Sequence, residues 1–164
     1  MPETVRIRSA VSADVPLILG FIRELAEYEK LAHQVVATEA DVRISLFGPR
    51  PVAECLIAEF DSKPAGFAIF FHNFSTFLGR AGLYLEDLYV KPELRGKGVG
   101  RRLLAHLARL ALERGCGRFE WAVLDWNEPA IRFYKSLGAN MLDDWRINRV
   151  TGEALKKLAA EAGA

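Results

Sequence analysis

The stretch "PELRGKGVGRRLL", residues 92–104, places three glycines among four basic side chains, directly ahead of an amphipathic helical pattern. The basic residues are Arg95, Lys97, Arg101 and Arg102. Cations at the start of a helix face the positive end of the backbone dipole, which is unfavourable. Glycines can adopt positive φ and leave backbone N–H groups open to an anion. A bound anion would offset the repulsion, so the stretch predicts a phosphate-binding turn between a strand and a helix.

The spacing of these glycines distinguishes the turn from other nucleotide-binding loops. It is not GxxxxGK[ST], and no Ser or Thr follows to hold magnesium. Arg101 stands where the dinucleotide fingerprint requires glycine. The pattern that fits is R-x-x-G-x-G, formed by Arg95, Gly98 and Gly100. A tight turn with solvated basic side chains is the alternative that the pattern alone leaves open.

The composition is that of an ordinary globular protein and gives no sign of a polymeric or membrane partner. The chain has 164 residues, 51% hydrophobic and 26% charged, with 22 Lys plus Arg against 21 Asp plus Glu. This balance predicts no nucleic-acid or membrane partner, and the length predicts one domain over residues 1–164. Cys55 and Cys116 lack disulfide spacing, which favours a reducing cytoplasm. The three histidines are isolated in sequence, so no metal site is expected.

Hydrophobic periodicity and turn signals divide the chain into alternating elements. They predict helices at 12–29, 38–47, 98–115, 127–138 and 152–162. They predict strands at 4–10, 53–60, 65–75, 82–90, 118–125 and 145–150. Because a meander of strands precedes a strand–loop–helix–strand unit, the pattern predicts an α/β fold with a mixed sheet covered by helices.

Two motifs in this order resemble the GNAT superfamily of acetyl-CoA-dependent N-acetyltransferases: the R-x-x-G-x-G turn, and "WNEPAIRFYKSLGA" at 126–139. The segments "IRELAEYE", "LYLEDLYV" and a late "WR" are similar to the diamine acetyltransferase subgroup, which includes spermidine/spermine and thialysine acetyltransferases. The resemblance covers nearly the whole chain. It implies a single-domain, mostly antiparallel mixed sheet flanked by helices, acetyl-CoA as co-substrate, a small-molecule amine as substrate, and a homodimer.

The resemblance assigns coenzyme binding to three segments. The pyrophosphate would lie in the turn, and the pantetheine arm would pair with a strand backbone as an added strand does. The helix that Asn127 caps would border the coenzyme. The residues implied are Leu88, Tyr89, Val90, Arg95, Gly96, Lys97, Gly98, Val99, Gly100, Arg101, Asn127, Glu128, Pro129, Ala130 and Tyr134.

The resemblance also assigns the acid and the base of acetyl transfer. Tyr134 would be the general acid, since a phenol with a pKa near 10 stays protonated at neutral pH. Periodicity alone favours a core position for Tyr134 beside Ile131 and Leu137, and the motif match reverses that interpretation. Glu86 would accept the amine proton through a water, with Asp87 as an anion on the amine side. In an unbulged strand these consecutive carboxylates point to opposite faces and cannot share one role.

Further positions match substrate contacts in the resemblance and together outline an acidic pocket suited to a polycationic amine. They are Tyr28, Glu29, Glu86, Asp87, Glu120, Trp121, Ala122 and Asp143, with Asp144 as the alternative to Asp143. The chain departs from the eukaryotic spermidine enzymes in two places. It is shorter between Gly138 and Trp145, and Phe77 only loosely represents an expected aromatic. Both departures lie on the amine side and leave the identity of the amine open.

Two other functions remain compatible with the sequence. One is an acyl-CoA-binding regulatory module that has lost catalysis, although retention of Glu86 and Tyr134 argues against it. The other is an acetyltransferase that modifies a protein lysine or N-terminus. A narrow acidic pocket favours small molecules, whereas an open basic or apolar groove favours a peptide.

Overall fold

Five strands form one sheet in the computed structural model, which describes residues 4–163. The strands lie in the order β1-β2-β3-β4-β5, and every neighbouring pair is antiparallel except β4 and β5. The predicted mixed, mostly antiparallel sheet is therefore confirmed. The strand bounds are β1 Val5–Ser9, β2 Glu54–Phe60, β3 Lys63–Ser75, β4 Arg80–Val90 and β5 Phe119–Trp121.

The helices begin where the sequence carries start signals. Thr38 caps α2 by accepting a hydrogen bond from the Asp41 N–H at 3.2 Å, and the Asp41 carboxylate accepts from the Thr38 N–H at 2.8 Å. Asn127 caps α4 by accepting from the Ala130 N–H at 3.4 Å. The helix bounds are α1 Val15–Tyr28, α2 Glu39–Phe47, α3 Val99–Glu113, α4 Glu128–Ser136 and α5 Gly152–Ala160.

The chain divides into two compact units between Leu124 and Asp125. The first unit contains the sheet with α1, α2 and α3, and the second contains α4 and α5. A single domain over residues 1–164 stays a prediction.

Both faces of the sheet in the first unit are covered. Side chains of α1 and α2 pack on one face against Ile57, Phe67 and Tyr89, and the rings of Phe21 and Phe67 lie 5.4 Å apart. The opposite face is covered by α3, which contacts β1 through β4 and buries Leu103 among other apolar residues. Since β4 lies between two apolar layers, its polar side chains are unusual.

Two strand predictions differ from the structure. The strand expected at 118–125 is only three residues long, because β5 pairs with β4 at Leu83–Leu85 and no further. The strand expected at 145–150 is absent, and Trp145 and Ile147 are 79% and 77% exposed. Alternation of apolar and polar residues is not enough to make a strand, because the backbone also needs a neighbouring strand to bond with.

Gly66 should be essential to the pairing of β3 with β4. A Cβ at this position would lie 2.2 Å from the carbonyl oxygen of Tyr89, so the two backbones could not keep their approach. We expect Gly66→Ala to lower the free energy of unfolding by about 1–3 kcal/mol, measured by urea denaturation. The matched control is Gly20→Ala in α1, where an added Cβ meets nothing within 4 Å. Since alanine favours helix, that variant should gain about 0.5–1 kcal/mol. Equal effects of the two substitutions would contradict the close approach.

Candidate active site

A β-bulge interrupts β4 at Glu86. Ile69 of β3 faces Asp87, while the next residue, Phe70, faces Leu85, so Glu86 is the extra residue. A bulge bends a strand and increases its twist. The pairing of β5 with β4 ends at Leu85, immediately before this point. The two parallel strands therefore separate where the carboxylates stand.

The bulge brings Asp87 to the same face of the sheet as Tyr84. Tyr84 and Asp87 lie opposite Phe71 and Ile69, which are two residues apart and so share a face. The charge of Glu86 raises the pKa of both Tyr84 and Asp87, which shows that it lies near both. The strict alternation of an unbulged strand does not apply here, and the exposed Glu86 carboxylate lies close enough for its charge to act on Asp87.

Asp87 lies in a negative and partly dry environment. Burial, followed by the nearby charges of Glu86 and Glu29, raises its pKa to about 6. Within residues 4–163, neither Glu86 nor Asp87 forms an ion pair or hydrogen bond through its side chain. A half-buried carboxylate without a protein cation, beside a second carboxylate, favours a cationic ligand. This end of the sheet is suited to an ammonium group.

The end of α1 presents Tyr28 and Glu29 on the same side of the unit. The helix ends in a Schellman motif, in which the Lys30 N–H donates to Glu27 and the Leu31 N–H donates to Ala26. Lys30 takes the left-handed conformation there, with φ of 62°. Burial raises the pKa of Glu29, whose charge in turn acts on Asp87. The structure thus brings Glu29 together with the bulged pair.

Beyond Leu85, the edge of β4 that faces β5 has no strand partner within residues 4–163. The Lys91 N–H donates to the Ala65 carbonyl of β3. Every second residue before Lys91 in β4 therefore directs its backbone N–H and C=O groups towards β3. Leu88 and Val90 consequently point theirs towards the open edge. These are two of the three residues predicted to pair with the pantetheine arm.

The glycine turn has the conformation that its sequence predicts. Gly96 and Gly98 have φ of 76° and 83°, which side-chain-bearing residues rarely adopt. Gly98 is the N-cap of α3, and no side chain caps this helix. The first N–H groups of α3 therefore remain available to an anion. Arg101 and Lys97 are exposed at this end of the helix.

Arg95 is directed away from the turn. Its Nε donates to the Val90 carbonyl at 3.0 Å, and its guanidinium lies 4.8 Å and 5.6 Å from the ring centroids of Tyr28 and Tyr89. It fastens the start of the turn to the end of β4 and to α1. A direct contact between its side chain and a phosphate stays a prediction.

The predicted substrate residues of β5 lie in a different setting. The Glu120 carboxylate forms an ion pair with Arg118 at 2.8 Å and accepts from the Asn73 amide at 3.5 Å. The Trp121 ring lies 4.9 Å from that of Phe119, and Ala122 is exposed just beyond the strand. Glu120 thus has a protein cation beside it, and its contact with the substrate stays a prediction.

The remaining predicted residues belong to the second unit. Tyr134 is half-buried in α4, with its ring 5.7 Å from that of Phe133. Asn127 is buried at the cap, while Glu128 and Pro129 are exposed in the first turn of α4. Asp143 and Asp144 are exposed in a turn, where the Trp145 N–H donates to the Leu142 carbonyl.

Comparisons with known proteins agree with this geometry. Residues 22–139 match the acetyltransferase (GNAT) family. The chain belongs to this family. It is 43% identical to a thialysine N-epsilon-acetyltransferase of Sus scrofa over 96% of this chain and 99% of that protein. It is 32% identical to an L-ornithine N5-acetyltransferase of Arabidopsis thaliana, over 93% and 87%. The structure of an integron cassette protein from the V. cholerae mobile metagenome matches with a TM-score of 0.79, 30% identity and coverage of 95% and 98%.

As a GNAT family member, the chain is an acyltransferase, and its described residues fit the coenzyme of that family. An uncapped helix start, two left-handed glycines and an open strand edge supply backbone donors and acceptors without intruding side chains. No group of His, Cys, Asp or Glu within residues 4–163 could hold a metal ion. No described helix is long and apolar enough to cross a membrane.

The sequence of this GNAT family member does not reveal the long-range contacts that determine the role of each charged residue. The bulge at Glu86, the ion pair of Arg118 with Glu120, and the stacking of Arg95 are all long-range features. The pair "ED" inside an apolar strand was the one available signal, because two buried acids without partners would be costly. The signal identified the residues but not the face on which they lie.

Proposed function

We propose that the protein transfers an acetyl group from acetyl-CoA to a primary amine of a small diamine, polyamine or lysine-like substrate. The observation that carries the proposal is the bulge at Glu86. It sets Glu86 beside Asp87, which shares a face with Tyr84, at the point where β5 leaves the strand. An ammonium substrate would be attracted to these charges, and the open strand edge beside them would receive the coenzyme.

Glu86 and Asp87 prepare the amine in this proposal. An alkylammonium has a pKa near 10, so it must lose a proton before its nitrogen can attack a carbonyl carbon. Exposed Glu86 accepts that proton through a water, and Asp87 holds the cation beside it. Glu29 adds a third negative charge to the same region. Attack of the neutral nitrogen on the thioester forms the amide bond and breaks the carbon–sulfur bond.

Acetyl-CoA supplies the activated acetyl group, and the chain supplies its binding surface. The N–H groups at the start of α3 and the Arg101 guanidinium hold the pyrophosphate. The outward backbone groups of Leu88 and the Val90 N–H hold the pantetheine amides, because the Val90 carbonyl already accepts from Arg95. Tyr134 gives its hydroxyl proton to the departing thiolate, and helix α4 fixes the position of its ring. The attacking nitrogen loses its second proton as the amide forms, which restores the Tyr134 hydroxyl through solvent, and the proton on Glu86 returns to solvent.

The substrate class follows from charge. Asp87 is surrounded by negative charges, so a substrate with a second cationic group binds with more charge compensation than a simple amine. The thialysine and ornithine acetyltransferase relatives support a substrate of this size.

Cys55 is buried with its pKa raised to about 12, and both cysteines are unpaired. We therefore keep the reducing cytoplasm as the proposed compartment.

Thiol release in the presence of acetyl-CoA and an amine panel tests the function. The panel comprises putrescine, spermidine, spermine, thialysine, ornithine and simple amino acids, and calorimetry measures coenzyme binding separately. We expect release with at least one diamine or lysine-like compound. Coenzyme binding without release from any amine would instead indicate a regulatory module. Release only with peptides would indicate a protein acetyltransferase.

Arg101→Gln should weaken acetyl-CoA binding about tenfold at low salt, because a charge-assisted contact to the pyrophosphate is lost. The difference should shrink as salt rises, since the residue is exposed and its charge is screened. Calorimetric titration at two salt concentrations measures both. The control is Arg109→Gln, which removes an exposed arginine of the same helix two turns further on. Equal affinity of the two variants would refute the clamp.

Homodimerisation is the remaining part of the proposal. The second unit exposes many large apolar side chains, more than an isolated surface usually carries. They are Met141, Leu142, Trp145, Ile147, Val150, Leu155 and Leu158. We expect a dimer in sedimentation equilibrium and a shift towards monomer in Trp145→Asp. The same change at exposed Phe77 in the β3–β4 turn is the control. A monomeric wild type would contradict the proposal.

A further inference from the structure

A groove of about 560 Å³ lies in the first unit, between the outer edge of β1 and helix α3. It contains none of the residues assigned to acetyl transfer. The residues that line it are Val5, Arg6, Ile7, Arg102, Ala105, His106 and Arg109. One wall is thus a strand edge, and the other is a helix face.

The strand wall offers both donors and acceptors. The Ala10 N–H donates to Cys55 and the Asp61 N–H donates to Thr4, which fixes the residues of β1 that bond to β2. By the alternation of an antiparallel ladder, Arg6 and Arg8 point their backbone groups at β2. Val5 and Ile7 point theirs outward. Within residues 4–163, β1 pairs only with β2, so this edge is open.

The helix wall is basic. Arg102, His106 and Arg109 follow each other at four and three residues, which places them on one stripe of α3. The stripe is about 10 Å long, which equals about three residues of an extended strand. Burial and the charge of Arg109 lower the pKa of His106, so the charge at neutral pH comes from the arginines. Arg109 also lies 3.7 Å from Glu113, a weak pair that leaves its charge partly available.

We propose that this groove binds an extended acidic peptide segment of a partner protein, which adds to β1 as a sixth strand. The edge requires a ligand with alternating N–H and C=O groups, which a peptide has and a small anion lacks. The arginine stripe requires carboxylates on the side chains that face α3. The surface lies apart from the amine and coenzyme residues, so the inference stands or falls independently of the proposed function.

The probe is a fluorescein-labelled peptide of alternating Glu and Val, seven residues long, with a Lys/Val peptide as the charge control. Fluorescence anisotropy on the full chain should show the acidic peptide binding at least tenfold more tightly at low salt. Hydrogen exchange should slow at the amides of Val5 and Ile7 on binding, whereas those of Arg6 and Arg8 should not change. Binding without protection at Val5 and Ile7 would overturn strand addition.

Two further comparisons make the test specific. Methylating alternate amides of the acidic peptide gives two complementary probes, and one of them should lose binding while the other keeps it. Arg109→Glu should weaken the peptide at least tenfold, and Arg23→Glu on α1 should not. Acetyl-CoA affinity should be unchanged in both variants, which confirms that they fold. Loss of binding with both methylated probes or with neither, or tighter binding of a DNA duplex than of the peptide, would refute the proposal.

Discussion

Replacing Tyr134 with Phe is expected to lower kcat at least tenfold while leaving acetyl-CoA affinity unchanged. The substitution removes one hydroxyl and keeps the ring that packs beside Phe133. If Tyr134 is the general acid, the thiolate must leave without a proton, and general acid catalysis is typically worth about 10²–10⁴-fold. Steady-state kinetics with the best amine of the panel, together with coenzyme calorimetry, measure the two quantities.

The control for this experiment is Tyr84→Phe. Tyr84 is a second half-buried tyrosine, and burial together with Glu86 and Glu120 raises its pKa, so it too stays protonated. Its loss should change kcat less than twofold. A large loss in Tyr84→Phe with none in Tyr134→Phe would move the acid from helix α4 to strand β4. Equal turnover of wild type and Tyr134→Phe would remove Tyr134 from the mechanism.

The elements that the sequence predicted correctly are those determined by neighbouring residues. Thr38 with Asp41 and Asn127 with Ala130 are contacts over three residues, so their caps were visible as local patterns. Gly98 precedes the strongest amphipathic helix and takes the left-handed conformation that its position implied. The turn at α3 was therefore predictable in both place and shape, since its physics is contained in about ten consecutive residues.

The features that were not predicted depend on the sheet register. Leu83, Leu85 and Tyr89 are all buried, although the bulge turns Leu85 and Tyr89 to opposite faces. Because both faces of β4 are covered by apolar layers, a shift of register leaves no trace in the hydrophobic pattern. The early end of β5 has the same origin, since its partner strand bends away after Leu85. Only the spatial neighbours of Asp87 reveal that it shares a face with Tyr84.

Charge partners were equally invisible in the sequence. Arg95 was predicted to meet a phosphate because it stands at the head of the glycine turn. Its guanidinium instead lies against Tyr28, which is 67 positions earlier in the chain and reaches it through the end of α1. Glu120 was grouped with the acidic residues, yet Arg118, just before the same strand, compensates it. Residue type and order predict which charges exist, whereas packing determines which of them remain available.

Asp87→Asn and Glu86→Gln should separate the two carboxylates by their kinetics. Glu86→Gln removes the proposed base and should lower kcat at least tenfold. Asp87→Asn removes the anion that holds the amine and should instead raise KM, lowering kcat/KM at least tenfold at pH 8. Because the pKa of Asp87 is about 6, wild-type kcat/KM should fall as the pH drops through 6. That limb should be missing in Asp87→Asn. A limb that survives in this variant would show that another group titrates near pH 6, and a loss confined to kcat would assign the base to Asp87.

Replacing Asp87 with Asn should change stability and activity in opposite directions. The free energy of unfolding should rise, whereas kcat/KM should fall. The pKa of Asp87 is raised from 3.8 to about 6 on folding, so the folded state binds the proton more tightly than the unfolded chain. The carboxylate therefore costs nothing below pH 4 and destabilises the fold increasingly up to pH 6, by about 2–3 kcal/mol in all. Asp87→Asn should consequently unfold at higher urea concentration than wild type at pH 8, and this difference should disappear at pH 3.5. Glu86→Gln should show a smaller gain, because it removes only the part of the Asp87 pKa shift that the charge of Glu86 causes. A destabilising carboxylate at the bend of β4 is explained by its role in binding the cationic substrate. Equal stability of wild type and Asp87→Asn at pH 8 would contradict that explanation.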